Sequence, residues 1–149
     1  MVETEGNLIS LALKGHFDII AHGCNCGKMM GAGIALEMKA RIPEAWEADL
    51  KDKRFSINKL GCFTSALVDR EEIKPFLVLN FYSQYEPGKN LDVEALTLCL
   101  RKTNMMYPDL HIGLPYIGAG IAGGDWKEIK KIIKRELKDM RITIVKYKK

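Results

Sequence analysis

Short apolar runs alternate with stretches of helical periodicity along most of this chain, and that alternation limits what it can fold into more than any other feature. "FDIIAHGC" (17–24) has an apolar core too short for a helix and is expected as a buried strand. "AGIALEMKARI" (32–42) carries Ile34, Met38 and Ile42 at helical spacing and stops at Pro43. "PEAWEADLKDK" (43–53) opens a second helical piece with that proline in its first turn, where the missing N–H does no harm. "LGCFTSALV" (60–68) and "FLVLNFYS" (76–83) read as strands. "LDVEALTLCLRKTNMM" (91–106) reads as a helix with Val93, Leu96 and Leu100 on one face and Asp92 at its start. "HIGLPYIG" (111–118) is a short strand. "DWKEIKKIIKRELKDM" (125–140) is an amphipathic helix with Trp126, Ile129, Ile132, Ile133 and Leu137 in one stripe, and "RITIVKYKK" closes as a strand. Strands alternating with helices imply an α/β fold, a mostly parallel sheet covered on both faces.

A chain of 149 residues, 47% apolar and 28% charged, has the size and composition of one globular domain, so 1–149 is expected to fold as a unit. No apolar run approaches the roughly 20 residues of a membrane span. The opening "MVETEGNLIS" is acidic and polar, unlike a signal peptide, which makes the cytoplasm the expected compartment. Cys24, Cys26, Cys62 and Cys99 are then expected as reduced thiols. His22, Cys24 and Cys26 alternate along the chain, but Cys62 and Cys99 have no neighbours that would complete a metal-ligand set, and no structural metal is expected. Ten of the 23 Lys and Arg residues lie between Lys127 and Lys149, and they read as a solvated helix face plus a basic tail. No nucleic-acid motif accompanies them. The net charge of +4 favours arrival of a small anionic ligand.

Two glycine clusters remain to be explained, "HGCNCGKMMGAGIA" (22–35) and "PYIGAGIAGGDW" (115–126). Each follows a strand and precedes a helix, where ligands of open α/β sheets bind. Glycine there lets backbone N–H groups approach an anion, to which the helix N-terminus adds a favourable partial charge. Neither cluster has the Gly-Lys-Ser/Thr ending of a Walker loop or the G-x-G-x-x-G of a dinucleotide fold. Two such loops together point to a diphosphate gripped from two sides. Close packing of helices on the sheet is the competing explanation for either loop alone.

In this order, "IIAHGCNCGKMMGAGIA" and "LPYIGAGIAGGDW" resemble the two phosphate-binding loops of macrodomains, nearest to the branch of ADP-ribose-1″-phosphate phosphatases and bacteriophage-encoded macrodomains. "EGNLISL" (5–11) resembles the opening segment of that family, so the resemblance covers nearly the whole chain. It implies a three-layer α/β/α sandwich with a mixed, mostly parallel central sheet, and ADP-ribose or a derivative as ligand. It also implies host cytoplasm for a phage-encoded member.

The resemblance places Asn7, with Leu8 beside it, at the adenine amino group, against the alternative of Asn7 as a helix cap. Asn25 falls at the distal ribose, where an amide offers both donor and acceptor; the alternative is an asparagine stabilising its own turn. Gly31, Ala32, Gly33 and Ile34 are implied to wrap one phosphate, and Gly118, Ala119, Gly120, Ile121 and Ala122 the other. His22 and Asp125 are the catalytic candidates; against them stand a structural hydrogen-bonded histidine and an N-cap aspartate with Glu128 three residues on. Lys28 is a candidate to neutralise a terminal phosphate. Ala122 and "NFYSQY" stand where the lysine–aspartate macrodomain hydrolases carry their pair, which argues against that mechanism. Val145 occupies the place of the adenine-stacking aromatic, leaving Tyr147, Tyr116 and Tyr82 as candidates. The implied activity is binding of ADP-ribose and hydrolysis of ADP-ribose-1″-phosphate to ADP-ribose and phosphate, without a cofactor. The alternatives are a non-catalytic reader or nucleotide-sequestering module, and a hydrolase removing ADP-ribose from modified macromolecules. Neither nucleic acid nor membrane is an expected partner.

Overall fold

The computed structural model describes residues 1–148, as β1 (Val2–Gly6), α1 (Leu8–Leu13), β2 (Ile19–Asn25), α2 (Gly33–Arg41), α3 (Pro43–Lys51), α4 (Ser56–Lys59), β3 (Phe63–Val68), β4 (Phe76–Gln84), α5 (Val93–Met106), β5 (His111–Leu114), α6 (Trp126–Glu136) and β6 (Arg141–Tyr147). One six-stranded sheet has the order β1-β6-β5-β2-β4-β3. Every neighbouring pair is parallel except β3 with β4. The fold is therefore a mixed, mostly parallel sheet between helical layers.

Alternation along the strands builds two cores. Ile19, Ala21, Leu79 and Phe81 face one way and pack with Leu96 and Leu100 of α5 and Ile129, Ile132 and Ile133 of α6. Ile20, Val78 and Val145 face the other way, against Leu8, Ile9 and Ala12 of α1 and Met38, Ile42 and Ala45 of α2 and α3. β2 and β5 lie centrally and are buried on both faces, as continuous apolar runs demand.

Proline sets two boundaries. Ile42 has φ −129° and ψ 73°, which ends α2, and Pro43 begins α3. Pro115 follows β5 immediately, so the strand expected over 111–118 stops at Leu114. Gly61, at φ +82°, turns the chain before β3 and delays its start to Phe63. The sequence reading did not include β1, α1 or α4.

No helix among the described residues is long and apolar enough to cross a membrane. All four cysteines are free.

Candidate functional site

The carboxyl ends of the parallel strands converge on a cleft. β2 contributes Gly23, Cys24 and Asn25, β4 contributes Ser83 and Gln84, and the chain beyond β5 contributes Pro115 to Gly118 and Gly120 to Ala122. This is the edge where the chain, having run outward to β4 and β3, returns to the other side of β2. The cleft encloses about 400 Å³.

Its first wall is the 25–34 loop. Asn25 accepts from the Gly27 amide through Oδ1 (2.9 Å) and donates through Nδ2 to the Met29 carbonyl (2.8 Å), which staples the loop while leaving one N–H and one lone pair free. Met30, Cys24 and Tyr82 pack beneath it. The loop runs into α2, whose N-cap is Ala32 with no side-chain cap. The first-turn amides of Gly33, Ile34 and Ala35 therefore have neither an intrahelical partner nor a capping oxygen, and these residues line the cleft. α1, α5 and α6 differ: Asn7, Asp92 and Asp125 each accept a first-turn amide.

The second wall is the 115–124 loop, folded on itself by the Gly124 amide donating to the Gly118 carbonyl (2.7 Å). Gly118 has φ +76°, and a Cβ on Gly124 would stand 2.7 Å from that same carbonyl, so glycine is required at both positions. Gly31 and Gly120 differ again. A Cβ on either would meet nothing within 4 Å, because both border the open cleft. Among the described residues, no Asp, Glu, Lys, Arg or His lines the space between the two walls.

A second cavity of about 390 Å³ adjoins the first and shares Gly33, Ile34 and Pro115 with it. Leu8, Ile34, Val145 and Tyr147 give it apolar walls, and Asn7 and Glu37 polar ones. Asn7 is heavily engaged: Oδ1 accepts from the Ser10 amide (2.9 Å) and Arg41 (3.3 Å), and Nδ2 donates to Glu37 Oε1 (2.9 Å). Glu37 is also held by Arg41 at 2.9 Å.

The two cavities bring together Asn7, Leu8, Asn25, Gly31, Ala32, Gly33, Ile34, Gly118, Gly120, Ile121 and Ala122. Ala119 packs against the core instead. Lys28 turns away, its Nζ donating to the Leu50 carbonyl at the end of α3 (3.0 Å). Asp125 lies outside the lining and caps α6, accepting from the Lys127 amide (3.0 Å). His22 is fully buried and also outside the lining. Its Nε2–H donates to Asn80 Oδ1 (2.6 Å), since the Asn80 amide nitrogen is committed to the Ala45 carbonyl and Thr64. From Thr64 the chain of donors continues to the Tyr82 hydroxyl (2.9 Å) and ends on Asp49 (2.8 Å), beside the buried Lys59. Burial holds the His22 pKa below its ordinary value and pushes the Cys24 thiol well above its own. Of the aromatic candidates, Tyr82 is buried in that chain and Tyr116 stacks on Trp126 at 4.2 Å, while Tyr147 lines the apolar cavity.

Sequence reasoning missed Ser83, Gln84, Pro87 and Gly88, which form the cleft's third side. "YEPGK", a turn directly after a strand, was the available signal. It also missed Glu37, hidden on a helix whose apolar stripe is irregular.

A mixed, mostly parallel sheet between helices, with an uncapped helix N-terminus and a glycine loop facing each other across a cleft at its carboxyl edge, defines an α/β protein of the class whose ligands bind beyond the strand ends. The fold is that of the macrodomains. No protein-family profile matches it. It is 32% identical over 148 residues to an uncharacterised 17.5 kDa protein of the tk-vs intergenic region of Enterobacteria phage T4, covering 95% of this chain and 92% of that one. It is 25% identical to the ADP-ribose 1″-phosphate phosphatase of Saccharomyces cerevisiae, over 94% of both. It is 26% identical to a Mycobacterium bovis DNA ADP-ribosyl glycohydrolase over 80% of this chain, spanning only 34% of that protein. Among solved structures, the macrodomain of Thermus aquaticus DarG superposes with a TM-score of 0.74 at 22% identity, over 99% of this chain and 97% of that one. A Trypanosoma brucei macrodomain in complex with ADP superposes with a TM-score of 0.70 at 14% identity, over 99% and 63%.

Proposed function

We propose that residues 1–149 act as a single macrodomain unit that binds ADP-ribose. The base enters the apolar cavity of Leu8, Ile34, Val145 and Tyr147, and the diphosphate lies between the start of α2 and the 118–122 loop. The distal ribose reaches Asn25. One observation carries this reading: α2 presents uncapped amides to a cleft that no carboxylate of the described residues lines. The test is calorimetric titration with ADP-ribose of the wild type and Gly120→Val. Gly120 has no neighbour for a Cβ to strike, so the variant keeps its fold while its side chain enters the cleft. Micromolar binding that the substitution weakens at least about tenfold is the expected result. Binding unaffected by it sinks the placement.

The yeast relative's name supports a second reading, hydrolysis of ADP-ribose-1″-phosphate. Water would attack phosphorus, the bond from phosphorus to the ribose O1″ would break, and that oxygen would leave with a proton as ADP-ribose, releasing phosphate. Backbone amides would hold the developing charge. His22 would act by positioning, through the strand that carries Asn25, and Asp125 by capping α6. Phosphate release should therefore persist in Asp125→Asn; a loss of more than about 100-fold would return Asp125 to direct proton transfer. With no release from the wild type, the protein is a binder, or a hydrolase of ADP-ribosyl groups on macromolecules such as the mycobacterial relative's name describes.

A further inference from the structure

β2 and β4 pair in step from Ile19 with Leu77 to Cys24 with Tyr82, but the next pair is Asn25 with Gln84. Ser83 therefore has no partner on β2: it is the extra residue of a bulge at the end of the strand that forms the cleft floor. A bulge interrupts side-chain alternation and re-aims the residue it carries.

Ser83 is only 1% exposed, yet it lines the cleft. Its carbonyl accepts from the Asp92 amide. Its hydroxyl enters no side-chain hydrogen bond among the described residues, where Lys59 Nζ alone is fully buried without a partner, so Ser83 Oγ keeps access to the cleft. Across the floor stands Gly23, where a Cβ would come within 3.0 Å of Ser83 Oγ. Glycine at 23 keeps that hydroxyl clear. A hydroxyl that has no partner in the protein and keeps access to a cleft is free to bond a group that enters it.

Ser83 lines the cleft beside Asn25 and Gln84 and takes no part in the apolar cavity, so it lies beyond the α2 amides from the base end. We infer that Ser83 Oγ is a ligand-binding group that hydrogen-bonds a hydroxyl of the distal ribose. The inference rests on the proposed ADP-ribose reading and adds a side-chain contact to a cleft otherwise built mainly from backbone. A hydroxyl is suited to a sugar because it donates and accepts at once.

The test titrates wild type and Ser83→Ala with ADP-ribose and with ADP, which lacks the distal ribose, and records thermal midpoints. Ser83→Ala should bind ADP-ribose about five- to tenfold more weakly, bind ADP as the wild type does, and melt no lower, because the hydroxyl has no partner to lose in the free protein. Unchanged affinity for ADP-ribose overturns the inference. So does a parallel loss for both ligands, which would place the hydroxyl at the diphosphate. A lowered melting point with both affinities intact would make Ser83 structural and overturn it too. If the wild type binds neither ligand, the ADP-ribose reading itself fails, a result visible before any variant is made.

Discussion

His22 is fully buried and stands apart from the cleft. An imidazole directly ahead of a ligand loop invites a proton-transfer reading, but the cleft takes in only the last three residues of β2, Gly23, Cys24 and Asn25. Its neighbour Gly23 reaches the cleft; His22 points into the closed interior and begins the hydrogen-bonded chain to Asp49. Burial is the main cause that lowers its folded-state pKa from 6.5, with Asn80 and Asp49 acting the other way. The unfolded chain therefore takes up a proton as pH falls through 6.5 while the folded chain does not. Stability is full above that pH and is lost as pH falls toward the folded pKa, at up to about 1.4 kcal/mol per pH unit. In His22→Gln this loss should be absent, so the stability gap between wild type and variant, measured by urea unfolding from about pH 7.5 to about pH 5, should shrink. A gap that stays constant would mean that His22 takes up its proton in the folded state as readily as in the unfolded one. Asp125 and Asn7 were legible as caps because the chemistry of an N-cap is local. The direction Lys28 takes was not, because it depends on where α3 ends in space.

At the scale of elements, helix α2 forgoes a side-chain cap and leaves its first-turn amides beside the cleft. Ala32 has φ −153° and ψ 161°, the extended geometry an N-cap residue adopts, yet its side chain cannot cap. Ala32→Asp should stabilise the fold by about 1 kcal/mol, since the carboxylate would satisfy first-turn amides and complement the helix dipole. The same carboxylate would occupy the amides offered to the diphosphate and repel it, so ADP-ribose affinity should fall at least about tenfold. Chemical denaturation and calorimetry on one variant check both halves. A more stable protein with undiminished binding would show that these amides do not meet the ligand. From Ile19 onward every strand and every helix but α4 was readable, the buried strands as short apolar runs and the amphipathic helices by their period. β1 was not, because four of its five residues are exposed and it is held at the sheet edge by β6. α4 is a single turn without a capping side chain, too short to leave a pattern.

For the whole molecule, the alternation of elements implied a parallel sheet with helices on both faces, and the glycine clusters implied a site at strand ends. The strand order was beyond that reasoning, because pairing β1 with β6 or reversing β3 against β4 depends on contacts far apart in sequence. The bulge at Ser83 belongs with these. It is a mismatch in count between two strands, and neither strand shows it alone.

Among the described residues, none that lines the space between the two walls of the cleft carries a formal charge. Amides are common to every residue but proline, so the proposed grip on an anion there is written in the course of the backbone rather than in the identities along it. Such a pocket tolerates turnover of nearly all the side chains around it while the trace is kept. Descendants of one ancestor can then drift in sequence and exchange one anionic cargo for another, with the handhold inherited intact.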